Sequence, residues 1–222
     1  MKIGYDGFVP EQRRQMACLR SAWSVRLSSA LGGTGDIMPD SFVVMWTIER
    51  SRWLQRVGDR GPLEVVFGGP HISMPSINAV QVEDTVYPVS IMSGALYIIA
   101  GLKVEELLSP EDFVRQRLGM VVPPAKTWGE LFWEIKRSKP SIGHRIPTTC
   151  ADLAATGSNG SEIRFDRQVP SPDLSSIRLG PKHGREQALK GVVKGRLMNN
   201  FSLQGHVRRL SSQSAALFAQ LL

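Results

Sequence analysis

From Ser41 to Gly101 the hydrophobic positions follow the two-residue period of a strand. In Ser41-Phe-Val-Val-Met-Trp-Thr-Ile-Glu49, Phe42, Val44, Trp46 and Ile48 point one way, and Val43, Met45, Thr47 and Glu49 the other. A helix capped by Asp40 and running to Gly58 is the competing reading, because Phe42, Met45, Trp46, Trp53 and Val57 also approximate helical spacing. Leu63-Glu-Val-Val-Phe67, bounded by Gly61-Pro62 and Gly68-Gly69-Pro70, predicts a second strand. Residues 79–100 form a third β-rich run with Val80, Val82, Val86, Tyr87, Val89, Ile91 and Leu96 to Ile99. β-Branched and aromatic side chains fit a pleated, half-buried surface, which favours the sheet.

Helical periods flank this stretch. Over residues 11–31, Met16, Leu19, Trp23, Leu27 and Ala30 make one apolar stripe that ends at Gly32-Gly33. Ser109-Pro110-Glu111-Asp112 supplies an N-cap, a first-turn proline and acids at the positive end of the dipole, for a helix ending near Gly119. Thr127-Trp-Gly-Glu130 has the capping-box pattern, and Trp128, Leu131, Phe132 and Ile135 form the core stripe behind it. Residues 140–181, rich in Ser, Thr, Gly, Asn and Pro, read as loop, with a short strand at Glu162-Ile-Arg-Phe165. Two further helical periods, 184–199 and 206–221, close the chain, although Gly191 and Gly195 each cost the first about 1 kcal/mol relative to alanine.

These elements predict an α+β fold. An antiparallel or mixed sheet from about residues 41–101 is covered by the N-terminal helix and the two capped helices, with a basic helical C-terminal region. The expected division is a core over 1–139, a loop-rich connector over 140–181 and the basic region over 182–222.

Charge adds a functional expectation. The 222 residues carry a net charge of +7. Residues 1–175 hold 19 basic and 19 acidic side chains, so the excess lies in the last 47 residues, where eight basic residues face one acidic residue, Glu186. Such asymmetry points to an anionic partner, either nucleic acid or an acidic membrane surface, against the plainer reading of a solvated basic end. The candidate phosphate-neutralising residues are Lys182, Arg185, Lys190, Lys194, Arg196, Arg208 and Arg209. Trp133, off the core stripe of its helix and followed by Lys136 and Arg137, is the candidate stacking residue. The leading expectation is a non-enzymatic structural or adaptor protein that binds an anionic polymer or surface and self-associates; viral matrix and nucleocapsid-type proteins are similar in composition, although no Pro-Pro-x-Tyr budding motif is present.

The chemistry of an enzyme is less complete. Val65-Val-Phe-Gly-Gly-Pro-His71-Ile-Ser73 is similar over nine residues to a strand-end loop of cobalamin-binding domains in radical enzymes. The Asp-x-His-x-x-Gly and Cys-x-x-x-Cys-x-x-Cys patterns of that family are missing, so no function is carried across. The alternative expectation is a small enzyme or ligand-binding protein in which Gly68, Gly69 and His71 hold a phosphate. His71-x-Ser73 also resembles half of the paired motif of two-histidine phosphoesterases, but none of the other three histidines supplies the second half. No catalytic set is complete, and no cofactor or metal is expected: the histidines are dispersed and neither Cys18 nor Cys150 sits in a ligand motif. The N-terminal residues lack the apolar stretch of a secretory signal and no run is long enough to span a bilayer, which predicts a cytoplasmic protein.

Overall fold

The computed structural model describes residues 38–68, 77–124, 126–147, 151–180, 184–199, 203 and 207–222. The helix expected over residues 11–31 lies outside them, as do Gly69, His71 and Lys182.

The two readings of residues 41–58 each hold over half the segment. Ser41–Met45 is strand β1, and Ile48–Arg56 is helix α1. Thr47 makes the switch: its backbone is extended and its hydroxyl accepts from the amide of Arg50 at 3.3 Å. Further along come Val65–Gly68 (β2), Thr85–Met92 (β3), Ala95–Ile98 (β4), Leu102–Lys103 (β5) and Glu106–Leu108 (β6). Helices Pro110–Arg117 (α2) and Trp128–Ser138 (α3) start at the predicted caps, Ser109 and Thr127. Thr127 and Glu130 complete the capping box reciprocally. A single turn, Pro140–Gly143 (α4), follows α3. Leu153–Thr156 (β7), Arg178–Gly180 (β8), Gln187–Ala188 (β9), Val192–Val193 (β10), Arg196–Leu197 (β11), Val207–Leu210 (β12) and Ser212–Gln220 (α5), with short 3-10 helices at Ile77–Ala79 and Ser171–Ser175, complete the described elements.

The architecture is α+β, with a mixed main sheet. β1 lies between β3, parallel to it, and β12, antiparallel, in the order β4-β3-β1-β12-β8-β9, with β5 also on β3. A second, antiparallel sheet has the order β2-β7-β6. Alternation along the strands builds the cores. Phe42, Val44 and Trp46 enter one core with Val66 and Ala155 of the second sheet, while Val43 enters another on the opposite face with Tyr87, Leu210 and Phe218. Val65, Phe67 and Ala154 point from the second sheet into a third core, capped by Phe113, Val114, Leu131, Phe132 and Ile135 of α2 and α3. The order is therefore α5, main sheet, second sheet, then α2 and α3. At roughly 1.5–3 kcal/mol per fully buried large apolar side chain, burying both faces of β1 and β2 outweighs any local helical preference.

Several expectations change here. Residues 184–199 are not a helix, whereas the helix expected over 206–221 forms as Ser212–Gln220, with Val207–Leu210 a strand ahead of it. Val192–Leu197 is a hairpin whose two loop residues, Lys194 and Gly195, have φ of 49° and 70°, as a tight two-residue hairpin turn requires. The glycines that weaken a helix are therefore there for positive φ, Gly191 included at 78°. The segment expected as a loop-rich connector contributes α4, β7 and β8, and Glu162–Phe165 is not a strand. Among the described residues no helix is long and apolar enough to cross a membrane.

Candidate functional site

The C-terminal ends of α1 and α3 carry the most distinctive group of exposed side chains. α3 buries Leu131, Phe132 and Ile135, which leaves Trp133 turned outward and 55% exposed. Lys136, in the last turn where cations suit the helix dipole, folds back over the rings. Its ammonium lies 5.1 Å from the Trp133 centroid, 5.3 Å from that of Trp53 and 5.6 Å from that of Phe132. Trp53, on α1, is 40% exposed, and the Arg56 guanidinium sits 5.4 Å from its ring centre. The result is a cationic aromatic patch: two part-exposed indoles bridged by an ammonium and edged by an arginine. Arg137, the next residue of α3, is exposed.

α4 brings His144 to this patch. A Cβ at Gly143 would stand 2.5 Å from the Lys136 backbone, so only glycine lets α4 pack this closely on α3. The Trp53 Nε1–H then donates to His144 Nε2 at 2.9 Å, with ring centroids 5.2 Å apart. An indole only donates, so the accepting Nε2 carries no proton and the neutral imidazole is protonated at Nδ1. That Nδ1 is buried and has no hydrogen-bond partner among the described residues. Burial first, and the Lys136 charge second, hold the His144 pKa below its ordinary value, while Asp59 opposes them.

The unfolded chain takes up the proton first, so the contribution of neutral His144 is present above its unfolded value near 6.5 and is lost as pH falls through the lower folded value. Urea midpoints are expected to decline on acidification from about pH 7.5 to 5, and His144→Phe is expected to flatten part of that slope. An unchanged slope in the variant would remove the assignment.

Beside the patch lies an open cleft of about 570 Å³, lined by residues 57–62, Glu64, residues 140–142, His144 and Arg145. Its base is a buried ion pair. Arg145 Nε and Nη2 donate to the two carboxylate oxygens of Asp59 at 2.8 and 2.7 Å, and Nη1 donates to the Pro62 carbonyl at 2.7 Å. Both side chains are 5% exposed.

The other sequence candidates are spread over several elements. Arg185 and Lys190 flank the edge strand β9, and Lys194 and Arg196 belong to the β10–β11 hairpin; all four are exposed. Charged residues beside a short edge strand also deter pairing with other chains. Arg196 donates to the Ser93 carbonyl at 2.8 Å. Arg209 and Arg208 lie inside the main sheet on β12. Arg209 pairs with Asp40 at 2.8 Å and lies over Phe42. Arg208 is half-buried, its pKa lowered by that burial. Gly68 is buried, and the space beside it is filled by Ile77, 2.7 Å from where a Cβ would stand. Its small size thus serves packing at that point. No group of three or more metal-ligating side chains occurs among the described residues.

Sequence reasoning found Trp133, Lys136 and Arg137 but not Trp53 or His144. The signal was present: Trp53 stands between Arg52 and Arg56, as Trp133 precedes Lys136 and Arg137. Neither a protein-family model nor any curated protein matches the chain, so the reading of this surface rests on its own residues.

Proposed function

We propose that the protein binds an anionic polymer, without chemistry on it, and that single-stranded nucleic acid is the polymer the patch suits. The observation carrying this reading is the pair of part-exposed indoles, Trp53 and Trp133, bridged by Lys136. Indole faces accept any base by stacking, and Lys136, Arg56 and Arg137 stand where a backbone phosphate passes. The chain's charge of +7 adds a long-range attraction. Arg185, Lys190, Lys194 and Arg196 extend the cationic surface of the molecule, whereas Arg208 and Arg209 are held within the sheet and take no part.

Counterion release makes such binding strongly salt-dependent. Raising the salt from about 50 to 200 mM is expected to weaken binding to a single-stranded oligonucleotide at least ~tenfold. Fluorescence anisotropy measures this directly, and an affinity indifferent to salt contradicts the reading.

A further inference from the structure

We infer that the cleft between the end of α1 and α4 receives one nucleobase, turned out of a single strand whose neighbouring base stacks on Trp53. This deepens the function proposed above and rests on it. It is carried by the chemistry of the cleft, which differs from that of the patch.

The patch is cationic; the cleft lining is balanced. Arg145 is matched by Asp59 at its base, with both carboxylate oxygens engaged. Of the charged groups left, Arg60 and Glu64 are exposed and opposite in sign. A phosphate gains little from such a lining, and a neutral polar ring suits it. Val57, Pro62 and Ile142 offer apolar surface to the faces of that ring. Arg60 donates, the Glu64 carboxylate accepts and the Ser141 hydroxyl does either, which is the mixed set that a base edge requires. About 570 Å³ falls within the range of small-molecule clefts.

His144 joins the two surfaces. It lines the cleft, and it accepts the Trp53 indole proton at 2.9 Å. A base stacked on Trp53 and a base in the cleft are thus separated by a single imidazole, which suits consecutive nucleotides of one strand. In a duplex, both bases would be stacked and paired and neither would be free to enter. The ligand class is therefore single-stranded nucleic acid with at least one unpaired, unstacked base.

The test compares two kinds of polyanion. Homopolymer single strands of about ten nucleotides in each of the four bases are titrated against heparin, which carries charge and no bases. Ser141→Trp fills the cleft from an exposed position, and Glu64→Gln changes one acceptor at its mouth. The expected result for Ser141→Trp is an oligonucleotide affinity about tenfold weaker, reduced discrimination among the four strands and heparin binding within about twofold of the parent. Glu64→Gln is expected to reorder the four strands, and it keeps the question decidable should Ser141→Trp fail to fold. Affinities and base order unchanged in both variants would overturn the cleft assignment while leaving the patch intact. Failure of the unmodified protein to bind any strand would overturn both.

Discussion

Replacing Arg145 with alanine is expected to destabilise the protein by about 3–5 kcal/mol, as is replacing Asp59. The reason is what each change leaves behind. Without the guanidinium, the Asp59 carboxylate keeps one donor, the Gly61 amide at 2.9 Å, in a site where the side chain is 5% exposed. Without the carboxylate, the guanidinium keeps, among the described residues, the Pro62 carbonyl. A stranded buried charge lacks both water and a partner, and that loss exceeds the net value of the pair itself. Arg145→Lys is not a rescue, because one ammonium cannot reproduce the two-pronged contact with Asp59 and still reach Pro62. The double variant Asp59→Ala/Arg145→Ala is expected to be less destabilised than the sum of the single changes, since it strands no charge. Urea unfolding of the four proteins measures this cycle, and simple additivity would show the pair to be energetically unimportant.

The second large effect is on binding. Trp53→Ala and Trp133→Ala are each expected to weaken single-strand binding by about 1–3 kcal/mol, the usual worth of a stacked base. Together they should weaken it about a hundredfold or more, if both indoles are engaged at once. Lys136→Ala should instead act as a phosphate contact, weakening binding to all sequences alike and lowering the salt slope by about 1. Stability should change little for Trp133, whose indole is more than half exposed, and somewhat more for Trp53, which also bonds His144. Anisotropy titrations with unfolding curves alongside separate loss of contact from loss of fold.

Much of the fold was legible where one local rule decided the outcome. Ser109 and Thr127 marked their helices because caps are short-range chemistry. The alternation at Phe42–Trp46 correctly assigned side chains to the two faces of β1, although the strand stops before Thr47. The C-terminal strands were not legible, for a physical reason. β8, β9 and β12 are only two to four residues long and exist because β12 pairs with β1, a partner far away in the chain. Leu189, Val192, Val193 and Leu197 satisfy a helical period and a hairpin equally, and only the positive φ at Lys194 and Gly195 separates the two. The same limit applies to the site: Trp133 was visible by being off its helix's apolar stripe, but its pairing with Trp53 through Lys136 is a tertiary fact.

The central claim is that the partner lies on the Trp53–Trp133 surface, and the indole N–H signals report on it residue by residue. In a ¹H–¹⁵N titration with a thymidine strand of about ten nucleotides, the Nε1–H signals of Trp53 and Trp133 are expected to shift together. Those of Trp46, buried in the core, and Trp128, bonded to the Pro147 carbonyl, are expected to stay. Stationary Trp53 and Trp133 signals, with the amides of Lys190, Lys194 and Arg196 moving instead, would contradict the account.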